Sequence, residues 1–211
     1  MSILAWIFPL GSGLLDAWNR KIAKESSASR FAFVAFGMLF AIPYFLVWLF
    51  FDGVREISTS IWWILLLHGS LLTFLNWLIV EAHRLGDMTA VGSYFSLTPA
   101  FALVASPFLF GFPAGNLWGI IGVLVLVGGL YLLNINSERV GLLAPFFAIF
   151  RQAGSRYMFY ASALAAVTAN LNKLGLEAAN SSALYLSLMY PWATLFALAT
   201  AFWYGRYFSK N

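Results

Sequence analysis

The sequence predicts an all-α integral membrane protein with seven transmembrane helices, a five-helix unit followed by the start of an inverted repeat. Three observations predict it. The 211 residues are 62% hydrophobic and 9% charged, with mean hydropathy +0.82, whereas soluble domains carry about 25% charged residues. Apolar runs close to the ~20 residues of a spanning helix recur along the chain. Two polar stretches, DAWNRKIAKESSASR at 16–30 and TANLNKLGLEAANSS at 168–182, share a texture that the grease around them lacks.

The expected spans are 3–20, 31–51, 61–81, 88–109, 116–135, 157–176 and 183–205. The first has no basic region before it and no small-residue cleavage site after it, so it reads as a retained helix and not a signal peptide. Asp16 and Asn19 lie near its end. They line a polar path or take up a proton, or Asp16 pairs with Arg20 at i+4 and only stabilises the helix end.

The second span carries Pro43. In the third, Ser70, Thr73, Trp77 and Glu81 form a stripe, with Asn76 beside it. Such side chains bridge helices or wet a cavity, where Trp77 would offer a flat wall. His68 also lies in this span. It titrates near neutral pH in its ordinary state, so it and Glu81 join Asp16 as proton-coupling candidates. The competing reading of His68 is a hydrogen bond inside the bundle.

The fourth span sets Thr89, Ser93 and Ser96 on one face, with Tyr94 near them and Pro99 below. Proline cannot donate to the Phe95 carbonyl, and a broken helix at membrane depth is tolerated against protein or a water-filled cavity. Pro191, after Tyr190, repeats this in the seventh span. In the fifth, Gly115, Gly119, Gly122, Gly128 and Gly129 permit close helix approach, which makes it a face for homo-oligomerisation. The connection at 137–156 is expected to lie in the interface, with Arg151 and Arg156 at the headgroups. In the sixth span, Asn170 and Lys173 share a face. They meet substrate at one end of a cavity, or Lys173 snorkels.

Arg20, Lys21, Lys24, Arg30, Arg84, Arg139, Arg151, Arg156, Arg206 and Lys210 fall on one side of this topology, against Arg55 and Lys173 on the other. The positive-inside rule then sets the C-terminus in the cytoplasm and the N-terminus outside a cell membrane. These scattered bases form no face that could track phosphates, which excludes nucleic acid as a partner. With no cysteine, thiolate catalysis and cysteine metal sites are excluded. No histidine box, paired catalytic carboxylates or Ser/His/Asp set stands in the spans, so neither an enzyme, a cofactor nor a metal is expected. The seventh span has no lysine for a retinal Schiff base.

With residue 17 set against 169, Ala17, Lys21, Glu25 and Ser29 fall on Ala169, Lys173, Glu177 and Ser181. Five spans separate the copies, so the second enters the membrane inverted, an arrangement common in transporters. Residues 1–136 are then one unit, and 157–211 the first two helices of another.

The segments EAHRLGDMTAVGSYFSLTPAFALVASPFLFG at 81–111, GIIGVLVLVGGLYLLNI at 119–135 and TANLNKLGLEAANSS carry a family likeness, with SLTP at Ser96 to Pro99 matching a fourth-helix motif. The chain resembles the EamA-type branch of the drug/metabolite transporter superfamily. It departs from that pattern at Gly111-Phe112, where an acid often follows the glycine, and in its second unit, which lacks three helices of the usual ten. Many members also have a cytoplasmic N-terminus. The resemblance implies transport of a small organic metabolite by alternating access, with the fifth helix away from the cavity. The alternative is a membrane subunit that does not transport, or does so only as an oligomer.

Overall fold

A computed structural model describes residues 21–22, 30–54, 56–111, 113, 115–133 and 150–208. The expected first span with Asp16 and Asn19, and linker residues 137–149, lie outside the described residues. The helices are α1 (Arg30–Asp52), α2 (Ile61–Leu85), α3 (Met88–Ser93), a 3₁₀ turn (Tyr94–Leu97), α4 (Thr98–Phe110), α5 (Leu117–Leu133), α6 (Ala153–Ala179) and α7 (Ser182–Phe208). No strand occurs among the described residues.

The second to seventh expected spans are therefore helical. Four stretches are long and apolar enough to cross a membrane: Arg30–Asp52, Ile61–Leu85, Val91–Phe110 and Ser182–Tyr204; Leu117–Leu130 is apolar but shorter. α6 is long, at 27 residues, but more polar, and its position explains that. It packs on α2, on α4 and on the 3₁₀ turn, so protein surrounds much of it. Small buried residues such as Gly154, Ala161, Ser162, Ala165 and Ala166 let those neighbours come close. Arg156, expected in an interfacial linker, belongs to the first turns of this helix.

The bundle exposes large apolar side chains and buries several polar ones beside an apolar core. Phe36, Phe40, Phe50, Val104, Phe108, Leu124 and Leu132 are exposed, while His68, Thr73, Ser162, Asn170, Ser187 and Thr194 are buried. Lipid tails solvate the former, and the latter find partners within the bundle. One apolar cluster gathers α1, α2 and α7 around Ile61, Tyr185 and Met189. The other gathers α2, the 3₁₀ turn and α6 around Ala82, Tyr94 and Met158, with Leu130 of α5. α1 packs mainly on α7, and α2 mainly on α6.

Local signals set the helix ends. Ser181 caps α7, its Oγ accepting the Leu184 N–H at 3.1 Å. Asn180 ends α6 in the left-handed region, with φ 51°. Gly111 ends α4 with φ 65°, a backbone that glycine adopts without a Cβ penalty. In the loop between α1 and α2, the Ser58 N–H donates to the Ala178 carbonyl at 3.0 Å, so this loop is strapped to the end of α6.

Candidate functional site

The interruption of the fourth span lies one step earlier than Pro99 itself. Pro99 is the second residue of α4, and the turn before it is 3₁₀. A proline ring clashes with the carbonyl four residues back, here Phe95. That carbonyl accepts both the Thr98 N–H and the Thr98 hydroxyl, the latter at 2.7 Å. The neighbouring Tyr94 carbonyl accepts the Ser162 hydroxyl of α6 at 2.8 Å. The break is therefore satisfied by protein. Tyr94 is buried and Ser93 half-buried, whereas Ser96 and Pro99 face outward. Ser96 bonds back to the Ser93 carbonyl at 2.7 Å.

Trp77 of α2 is the centre of an aromatic wall. Phe31 of α1 stacks on it with centroids 5.8 Å apart and rings 6° from parallel. Phe74 stacks on it at 5.2 Å, and Tyr157 of α6 meets it edge-on at 5.8 Å. Three helices thus converge on one indole. Asn76 is half-buried and spends its amide on the Leu72 carbonyl of its own helix at 2.8 Å.

Glu81 lies beside this wall and is buried. The Arg30 guanidinium grips its carboxylate bidentately, Nε to Oε2 and Nη2 to Oε1, the latter at 3.1 Å. Sequence reasoning left Arg30 among the orientation charges. Their separation of 51 positions along the chain hides the pair from any periodicity.

His68 is buried on α2, and its Nδ1 shares a hydrogen bond of 2.5 Å with the Tyr185 hydroxyl of α7. The two rings lie 13° from parallel. Gly175 of α6 makes this possible, since a Cβ there would meet the Tyr185 ring at 2.1 Å. Close by, Thr73 donates to the Gly69 and Ala193 carbonyls, both at 3.0 Å. Neither Tyr185 nor Gly175 was singled out from the sequence. His83, buried at the far end of α2, was also missed.

Asn170 is buried in α6. Its amide bonds to Ala166 O at 2.8 Å, and its Oδ1 accepts the Ser106 hydroxyl of α4 at 3.0 Å. Lys173, three residues on along α6, is exposed. Tyr190 is half-buried against Phe45 of α1, its ring stacked at 4.6 Å. Among the described residues no group of three or more His, Asp or Glu side chains could hold a metal ion. These groups stack and hydrogen-bond with one another.

The family model of the EamA-like transporter family matches residues 2–135. No curated protein and no solved structure matches the chain.

Proposed function

Because the chain belongs to the EamA-like transporter family, we propose that it moves a small organic metabolite across a cell membrane by alternating access. The membership itself makes it a multi-pass membrane protein of transporter type. The observation that carries the finer reading is the convergence of α1, α2 and α6 on Trp77. A stacked indole at a three-helix junction suits a planar or partly apolar solute. Asn76, Ser93, Tyr94, Asn170 and Tyr190 would supply polar contacts, while Ser96 and Pro99 would act through the broken span. Asp16, Asn19 and Lys173 complete the proposed path, and Asp16, His68 and Glu81 its proton-coupling groups.

We propose the inverted repeat as part of this reading. The register that sets residue 17 on 169 sets Arg30 on Ser182, and those residues open α1 and α7. α1 and α7 pack on each other, a contact that a pseudo-two-fold relation between two units would produce. We take the chain to have seven spans, with 3–20 the first, an external N-terminus and a cytoplasmic C-terminus. The glycine face of α5 is the proposed contact with a second copy. A Cβ at Gly122, Gly128 or Gly129 would meet nothing within 4 Å.

The test uses the purified chain in liposomes loaded with the small-molecule fraction of a cell extract. Mass spectrometry of the released solutes should show metabolites leaving faster than from protein-free liposomes. Trp77→Ala and Asn76→Leu should slow that release, and Gly128→Ala should not. Release no faster than from loaded protein-free liposomes would sink the reading and favour a subunit that does not transport alone.

A further inference from the structure

Arg30 and Phe31 open α1, and each meets a residue of α2. The Arg30 guanidinium grips the Glu81 carboxylate, and the Phe31 ring stacks on Trp77. Trp77 and Glu81 lie four residues apart, hence on one face of α2. Two neighbouring residues of one helix thus close on two points of another. We infer that this contact is a latch: the first turn of α1 covers the Trp77 wall at this end of the bundle, and its release uncovers the indole. That a solute then meets the wall rests on the transport reading above.

Because α1 packs mainly on α7 and α2 mainly on α6, the latch joins two helix pairs. Other bonds between the pairs lie farther along. His68 of α2 bonds Tyr185 of α7, Thr73 of α2 bonds the Ala193 carbonyl of α7, and Ser58 ties the loop before α2 to Ala178 of α6. These fall between the middle of the bundle and its opposite end, so they stay as a hinge when the latch lets go. Phe31 then keeps a neighbour on its own side, the Tyr204 ring of α7 at 6.2 Å. The ion pair is also unequally solvated, with the Arg30 side chain 35% exposed and that of Glu81 9%. A released guanidinium reaches water, whereas the carboxylate is left buried and uncompensated, which is costly. That imbalance draws the latch shut again. The guanidinium fork adds direction, because a bidentate grip forms at one registry of the two helices.

Tyr157 of α6 touches Trp77, so a cysteine in its place reports whether the wall is open, and the chain has no cysteine of its own. The full chain in detergent, carrying Tyr157→Cys, is reacted with a water-soluble maleimide. A second reporter, Ser187→Cys, is buried on α7 away from the latch. Arg30→Gln should raise the labelling rate of Tyr157→Cys about tenfold. Phe31→Ala should raise it severalfold. Arg30→Lys keeps the charge without the fork and should raise it less, which preserves the test if the glutamine variant does not fold. Arg30→Gln/Glu81→Gln should label no faster than Arg30→Gln. Neither change should alter labelling of Ser187→Cys. Unchanged labelling of Tyr157→Cys in the folded Arg30 and Phe31 variants overturns the latch. So does an equal gain at Ser187→Cys, which marks a general loosening. Labelling needs neither solute nor gradient. A latch that opens in a chain releasing no solute stands while transport falls, and solute release with unchanged labelling does the reverse.

Discussion

Tyr185 hydrogen-bonds His68 across the bundle while its ring lies over Gly175, so one phenol joins α2, α6 and α7. Removing the hydroxyl tests that junction most cleanly. Tyr185→Phe keeps the ring and leaves a buried imidazole nitrogen without this partner, which costs about 1–3 kcal/mol. Thermal unfolding in detergent should show the loss, and His68→Leu/Tyr185→Phe should recover part of it.

Gly175→Ala should destabilise for a different reason. The new methyl would occupy ring space, and a small-to-large change in a packed site costs about 1–3 kcal/mol. Gly69→Ala should behave alike, because its Cβ would meet Trp192 Cδ1 at 2.5 Å. Gly122→Ala and Gly128→Ala meet open space and should leave the melting temperature of the monomer unchanged. A fall in both pairs alike would contradict this division of the glycines.

The Arg30–Glu81 pair lends itself to a double-mutant cycle. Arg30→Gln strands a buried carboxylate, at a cost of about 1–3 kcal/mol, discounted because Arg30 is partly exposed. Arg30→Gln/Glu81→Gln should be more stable than Arg30→Gln alone. Additive losses in melting temperature would show the pair to be uncoupled.

Ser162→Ala removes a donor to the Tyr94 carbonyl and should cost about 1 kcal/mol. Pro99→Ala should cost less, because Thr98 already satisfies Phe95. Comparing the two by thermal unfolding tells whether α6 or the proline holds the break. A larger loss from Pro99→Ala would reverse the assignment.

The helices were legible because a bilayer demands long apolar runs, and each of the second to seventh runs is helical. The sixth was read short, 157–176 against Ala153–Ala179. Its ends are polar, and the neighbours that tolerate them come from elsewhere in the chain. Pro99 announced the broken span, though the 3₁₀ turn precedes it. Side-chain partnerships were the illegible part. The Asn76 amide donates to Leu72 of its own helix, a bond that its place beside the polar stripe did not announce. Glu81 looked like a proton carrier, and its partner Arg30 stood in what read as a loop. His68 and Tyr185 are 117 residues apart, and nothing in helical spacing links them.

The strap from Ser58 to Ala178 gives the chain an external indicator. α6 is largely enclosed, yet its end is tied to a loop whose Glu56 and Ile57 face outward. Movement of α6 must drag that loop or break the strap. Since the chain has no cysteine, a single Glu56→Cys accepts one fluorophore with no background. The label would report a buried helix from the water.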